Sequence, residues 1–299
     1  MPPHMVREKV IELLQQQDHD ALAELVESLP AKEVIHLVSH LNMDNRSALF
    51  TQLSPEEAAD IMEEIPEVQA IGIIEELETE DAAAILNEME SDDQADLIME
   101  LNDKSAQAIL GEMEPAEAAS VRKLLSYDPD TAGGMMHTEY FSFLETQCIG
   151  SVTEDLRKNR EKYQHYQLKY IFVTTDDNVL KGVLLMQDLL LGQPELELSN
   201  IRIKEVLSVG HLASLDKLID FFQKYELFGV PVTDEQNKLV GVILRKDILE
   251  AQTERATIEH LETQGIVGGE ELRTMPVLLR ARRRLSWLSV NILLNIVAA

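Results

Sequence analysis

Asp92, Asp93 and Asp96 form the densest acidic group in the first half of the sequence, and Asp216, Glu226, Asp247, Glu250, Glu254 and Glu259 gather in the second. Carboxylates are ligands for hard cations. The smaller hard divalent cations keep several of their waters and are usually held through one or two carboxylates, so a site for one needs facing acids more than a closed cage. Asp93 and Asp96 lie three residues apart, on one face of a helix. A plainer reading stays open for each acid, because the dipole of a helix favours negative charge in its first turn without any ligand. Two like charges about 8 Å apart repel by only about 0.5 kcal/mol in bulk water, yet many such pairs hold two surfaces apart until a divalent ion bridges them.

No catalytic constellation accompanies these acids. The histidines at positions 4, 19, 36, 40, 137, 165, 211 and 260 make no HExxH pair, and neither a GxSxG elbow nor a phosphate-binding glycine loop occurs. His36 and His40 are i, i+4 neighbours, a spacing that in a helical repeat reads first as surface or packing. The single cysteine, Cys148, excludes an internal disulfide and a cysteine-built zinc site, and fits a reducing compartment. The sequence gives no support for an enzyme.

The charge is polarised along the chain. Of 299 residues, 54 are acidic and 26 basic, a formal charge of −28. Residues 1–127 hold 29 acids and 7 bases, a net −22. Nucleic acid is excluded as a partner, because its binding relies on Lys and Arg replacing counterions. The one basic cluster runs from Arg273 to Arg284 and is followed by LSWLSVNILLNIVAA, 15 residues without a charge. About 20 apolar residues cross a bilayer. Arginines ahead of an apolar run with Trp287 at its head follow the positive-inside rule, so this run is expected to begin a membrane helix with everything upstream in the cytosol.

The elements that position the acids are two repeats. From Gln17 to Leu124 the pattern returns about every 12 residues, with Leu29, Leu41, Leu53, Ile65, Leu77, Met89, Leu101 and Met113 opening the units. A second apolar series runs through Leu25, Leu37, Leu49, Ile61, Ile73, Ile85, Leu97, Ile109 and Val121, with alanines such as Ala58, Ala70, Ala82, Ala95, Ala106 and Ala118 before it. Twelve residues at about 100° each turn the apolar stripe by roughly 120° per unit, so one continuous helix cannot use the period. Each unit is expected to be a short helix, begun by prolines such as Pro55 and Pro115, with Ser54/Glu57 and Ser91/Gln94 as capping boxes. Helices this short must stack, which gives an α-solenoid.

The second repeat has a spacing of 59. Val173–Leu190 aligns with Val232–Leu249 and matches at nine of eighteen positions. Each copy reads as a strand, an Asp/Asn turn, a strand opening at Gly182 or Gly241, and a helix begun near Asp188 or Asp247, with an amphipathic helix upstream at Val152–Lys162 or Leu215–Tyr225. The pair buries sheet faces that one copy could not. The fold class is therefore α+β and multidomain.

The paired units resemble tandem CBS domains, and the segment LLSYDPDTAGGMMHTEYFSF from Leu124 to Phe143 resembles the entrance to the CBS pair of MgtE magnesium transporters. DPDTAGGMM and the FGVPV…LVGV…D pattern are its most specific parts, and the acidic solenoid before them and the arginine-led segment after them stand in that family's order. The resemblance implies an N-type helical domain at 1–126, CBS units at 127–199 and 200–262, a connecting "plug" helix at 263–284 and the start of a membrane helix at 285–299. It implies a homodimer through the CBS domains, the cytoplasmic side of the cell membrane, and a region that closes a pore at high intracellular Mg²⁺. Magnesium is expected at the boundary of solenoid and CBS pair, where Asp93 or Asp96 faces Asp247 with the Gly134 carbonyl nearby. A second place is between the CBS pair and the plug, near Asp216, Glu226, Glu254 and Glu259. Ile258 stands there where the family has an acid.

CBS pairs often take adenine nucleotides through a Gly-x-x-Ser/Thr-x-x-Asp pattern. Leu185 and Leu244 occupy its hydroxyl positions, while Asp188 and Asp247 remain as ribose contacts, so ATP would lose its phosphate hydroxyl; Asp188 also reads as a helix N-cap. Two other readings are a nucleotide-sensing CBS regulator, which explains the middle of the chain alone, and a helical interaction scaffold like the flagellar motor switch protein FliG, which explains the solenoid alone.

Overall fold

Twelve-residue spacing fixes where the helices start. The computed structural model describes residues 3–163, 166 and 169–263. After α1 (Pro3–Gln16) come α2 (His19–Glu27), α3 (Ala31–His40), α4 (Met43–Gln52), α5 (Pro55–Glu64), α6 (Glu67–Glu76), α7 (Thr79–Leu86), α8 (Ser91–Glu100), α9 (Asp103–Glu112) and α10 (Pro115–Leu124). From α2 onward every start is 12 residues after the last. Helices two apart in the chain pack on one another, α5 on α7 and α7 on α9, α6 on α8 and α8 on α10, which makes a two-layered solenoid. Both apolar series are buried along most of its length, and so are Ala58, Ala70, Ala82, Ala95, Ala106 and Ala118 between them.

Two details differ from the sequence reading. The large residues expected to open the units close them: Leu41, Leu53, Ile65, Leu77, Leu101 and Met113 follow the last helical turn in extended conformation and plug the gap to the next helix. The Ser54/Glu57 capping box forms, but the one at Ser91/Gln94 does not. Glu90 is the N-cap of α8, without a side-chain cap bond, and Ser91 is already helical. Ser91 and Gln94 are instead buried. Ser91 Oγ donates to Glu139 Oε2 at 2.8 Å and accepts from the Thr138 N–H at 3.0 Å, while Gln94 Nε2 donates to the Met89 carbonyl.

The second half is two copies of one unit. The first comprises β1 (Phe141–Leu144), α11 (Ile149–Lys158), α12 (Arg160–Tyr163), β2 (Tyr170–Thr174), β3 (Leu180–Leu185), α13 (Met186–Leu191) and α14 (Leu198–Ile201). The second comprises β4 (Val209–Gly210), α15 (Leu215–Lys224), β5 (Gly229–Thr233), β6 (Leu239–Leu244) and α16 (Arg245–Thr263). Each sheet pairs its first strand parallel to the second and its second antiparallel to the third. β3 and β6 open two residues before Gly182 and Gly241, so these glycines lie inside the strands. Asn178 and Asn237 take the left-handed turn position, each at φ 61, a conformation Asn tolerates better than most residues. They also join the units: the Leu180 N–H donates to the Asn237 carbonyl at 3.0 Å and the Leu239 N–H to the Asn178 carbonyl at 2.9 Å.

The segment between solenoid and first unit is bonded to the second unit. Ala132 N–H donates to the Ala213 carbonyl and Gly133 N–H to that of His211, and His137 exchanges backbone bonds of 2.8 and 3.0 Å with Val242 on β6. The solenoid core is correspondingly continuous with Leu215, Leu218, Phe222, Val230 and Ile243 of the second unit, whereas the first unit's core around Phe141, Ile171, Phe172 and Leu184 takes in Leu239, Val242 and Leu244 of β6 and does not join the solenoid's. Among the described residues no helix is long and apolar enough to cross a membrane. The plug helix and the apolar run expected at 263–299 lie outside the described residues apart from Thr263, the last residue of α16.

Candidate functional site

Two helix starts meet at the solenoid–sheet boundary. The first turn of α8 carries Asp92 and Asp93 with Glu90 as its N-cap, and the first turn of α16 carries Asp247. Between them lies His137, held by its two backbone bonds to β6 and only 4% exposed. Its Nε2 is 2.7 Å from Asp247 Oδ2, and its Nδ1 is 3.0 Å from Asp92 Oδ1 and 3.5 Å from Glu90 Oε2. Lys246 Nζ reaches Glu90 Oε2 at 3.1 Å. The Glu90 N–H donates to Glu63 Oε1 at 3.1 Å, which brings a carboxylate of α5 to the same place.

Five carboxylates, Glu63, Glu90, Asp92, Asp93 and Asp247, thus share one partly buried contact with two cations. Burial by itself disfavours every charge here. It would lower the His137 pKa, but Asp92 and Asp247 outweigh it and hold the imidazolium well above its ordinary range. Burial likewise works against Asp92, which the His137 charge and hydrogen bond nonetheless keep below the usual carboxylate value. For Asp93 the His137 charge is the weakest of these influences. Burial first, then Asp92, Glu63 and Glu90, push its pKa up to about 8, and burial also raises Glu63. The contact therefore carries more negative charge than its own cations neutralise.

The residues expected from sequence fall in different places. Asp93 and Asp247 are brought to one contact, with Asp92 and His137 between them. Asp96, one turn further along α8, is exposed, as are Glu226 and Glu250. Asp216 is exposed and pairs with Arg255 Nη1 at 2.8 Å. Gly134 serves the turn that leads to His137: its N–H donates to the Thr131 carbonyl, and a Cβ there would meet the Asp128 carbonyl oxygen at 2.5 Å. The side chains of Glu254 and Glu259 lie outside the described residues. Asp188 is the third residue of its helix rather than the N-cap, because α13 starts two residues earlier than expected, and its Oδ2 accepts the Leu185 N–H at 2.9 Å.

His137, Glu90, Glu63 and Lys246 were not legible as site residues. His137 has no ligand partner at any helical spacing, and its partners come from helices 45 and 110 residues away. The capping register gives no signal for Glu90, because Glu78 and Glu114 hold the same N-cap position in α7 and α10.

Comparison with known proteins places this geometry in context. The MgtE intracellular N domain family matches residues 29–130, and the CBS domain family matches residues 198–254. The magnesium transporter MgtE of Thermus thermophilus is 29% identical over 182 residues, and that of Enterococcus faecalis 27% over 179, each alignment covering 60% of this chain. The chain spans 39 to 40% of the length of these curated relatives. A crystal structure of the soluble part of a magnesium transporter superposes with a TM-score of 0.75 at 26% identity, covering 85% of this chain and 99% of that one. The cytosolic domain of the Mg²⁺ channel MgtE in complex with ATP superposes with a TM-score of 0.73 at 26% identity, covering 82% and 99%.

Proposed function

We propose that this chain, which is homologous to the MgtE magnesium transporters and has the fold of the MgtE cytosolic domain, is the Mg²⁺-sensing and gating region of such a transporter. At high intracellular Mg²⁺ the solenoid docks on the second CBS unit and the pore closes; at low Mg²⁺ it is released. The observation that carries this reading is the uncompensated charge at the boundary, where Asp93 sits among Asp92, Glu63 and Glu90 with its pKa raised to about 8. Docking adds Asp247 of the second unit to Glu63, Glu90, Asp92 and Asp93 of the solenoid, and a divalent ion beside Asp93 offsets that added charge, so it binds the docked state better than the open one. That difference is what a switch requires. Moving from about 1:99 to 99:1 takes roughly 10⁴-fold preference, which several weak carboxylate sites supply together.

The remaining parts follow from the homology. A homodimer through the CBS domains fits Leu190 and Leu249, which occupy equivalent places in the two units and are both exposed. Residues 263–284 would pass the docking signal on, and 285–299 would enter the membrane from the cytoplasmic side. A nucleotide input is a second reading, favoured because one structural neighbour was solved with ATP. Against it, Asp247 is already engaged by His137 and by the Leu244 N–H. Calorimetry with ATP separates the two readings.

The test of the sensor is limited proteolysis of the chain. Cleavage between Ser126 and Thr138, where the solenoid meets the sheets, should slow several-fold on adding Mg²⁺. Equal rates with EDTA and with Mg²⁺ would remove the proposal.

A further inference from the structure

The magnesium reading uses oxygen ligands around Asp93, but the pocket beside it contains a nitrogen. His137 Nε2 lies 2.7 Å from Asp247 Oδ2, the geometry of an N–H donating to a carboxylate. In the neutral imidazole this leaves a lone pair on Nδ1. Nδ1 faces Asp92 Oδ1 at 3.0 Å and Glu90 Oε2 at 3.5 Å. A lone pair aimed at two carboxylate oxygens is repulsive unless something positive sits among them, either a proton or a metal ion. In the metal-free chain a proton takes this place between His137 Nδ1 and Asp92 Oδ1, in a contact that still leaves the buried oxygen without a full hydrogen bond, and a metal ion would displace that proton. One donor atom from each of Glu90, Asp92 and His137 lies within 4.8 Å of the others, close enough for one ion to touch all three.

The donor set selects the metal. One imidazole nitrogen with two carboxylate oxygens suits a first-row transition ion of the Mn²⁺, Co²⁺ or Zn²⁺ class, whereas Mg²⁺ prefers oxygen and water. A histidine ligand whose other ring nitrogen is held by a carboxylate is the usual support of such a centre. We propose that Glu90, Asp92 and His137 Nδ1 form a transition-metal site at the solenoid–CBS boundary, with Asp247 orienting the imidazole. The bound ion joins α8 to the strand on β6 and takes the place that Lys246 Nζ holds on Glu90. The site lies in the contact on which the magnesium reading rests, yet binding there does not depend on gating.

The test is titration of the tag-free chain, in mild detergent, with CoCl₂ followed by visible absorption and calorimetry, and separately with MgCl₂. The His36→Gln/His40→Gln background removes a close histidine pair that could bind Co²⁺ on its own. The expected result is one Co²⁺ per chain, displaced by Zn²⁺ and bound about 100-fold tighter than Mg²⁺. His137→Gln and Glu90→Gln should each cost about 100-fold in Co²⁺ affinity, and Asp247→Asn about 10-fold. Failure of Mg²⁺ to slow proteolysis of the parent chain would count against the magnesium reading and not against this site. No stoichiometric Co²⁺, or parental Co²⁺ affinity in either His137→Gln or Glu90→Gln, would overturn the proposal. Glu90 caps α8 without a side-chain bond to the helix, so its variant decides the matter if His137→Gln does not fold.

Discussion

In the first CBS unit Asp188 accepts the Leu185 N–H and closes the first turn of α13. In the second, the equivalent Asp247 makes the same bond to Leu244 and also takes His137 Nε2. The glycines two turns of strand earlier differ in the same way. A Cβ on Gly182 would meet the Arg202 side chain, and one on Gly241 would meet Met136 Sδ at 2.4 Å, Met136 Cγ at 2.6 Å and the His137 carbonyl oxygen at 2.9 Å. The repeat thus supplies the same frame twice, and the solenoid with its exit strand turns one copy into a charged contact. A duplicated fold becomes asymmetric through what packs on it, with its own residues left in place.

The largest expected effect comes from removing the aspartate in each copy. Asp247→Ala leaves the buried His137 cation with Asp92 and Glu90 alone, a loss on the order of 3 kcal/mol, while Asp188→Ala loses one backbone cap at about 1 kcal/mol. Urea unfolding of the two variants checks the ratio; equal losses would erase the asymmetry. Next come the glycines. Gly241→Ala must push the 136–137 strand off β6 and should cost about 2 to 3 kcal/mol, whereas Gly182→Ala displaces a side chain for about 1 kcal/mol. The same unfolding curves report it.

Asp93→Asn should stabilise the Mg²⁺-free chain by on the order of 1 kcal/mol at pH 8. The sign follows from the raised carboxyl: the folded chain holds a proton that the unfolded chain has lost, so stability falls as pH rises from about 3.8 toward about 8. His137 works in the same direction, since its raised pKa contributes stability that is full below 6.5 and is lost as pH climbs through the folded value. Hydrogen exchange at the Val242 amide, which is bonded to His137, should therefore quicken with alkaline pH beyond its intrinsic rate, more than at Val183, its equivalent in the first unit. The Asn variant should flatten the part below about pH 8. The smallest effect belongs to Lys246→Met, about 0.5 kcal/mol, because that ion pair is half-exposed and screened.

Much of this asymmetry was invisible in the sequence, although the frame was not. A 12-residue period forbids one long helix and sets α2 to α10, and a 59-residue self-match sets both sheets, because local pattern and repeat geometry act over short stretches. Ser91 and Gln94 show where local reasoning stops. They fit a capping box, but burial against Thr138 and Glu139 gives their polar atoms other partners. His137 shows the same limit from the other side. The motif before it pointed to Gly134 and not to His137, and only the crossing of the exit strand onto the second sheet brings this side chain to Asp92 and Asp247. Among the acids, the family resemblance implied Asp93 or Asp96 opposite Asp247; the structure puts Asp93 in the contact with Asp247 and leaves Asp96 exposed, a difference of one helical turn that the sequence did not rank.

The central claim is that Mg²⁺ draws the solenoid onto the second CBS unit. Small-angle X-ray scattering of the chain in EDTA and in about 10 mM Mg²⁺, a range suited to weak carboxylate sites, tests it most directly. The radius of gyration should fall on adding Mg²⁺, and the fall should be blunted in Asp93→Asn, where the charge that calls for the ion is gone. An unchanged radius in the parent chain, or the same decrease in the variant, would contradict the claim.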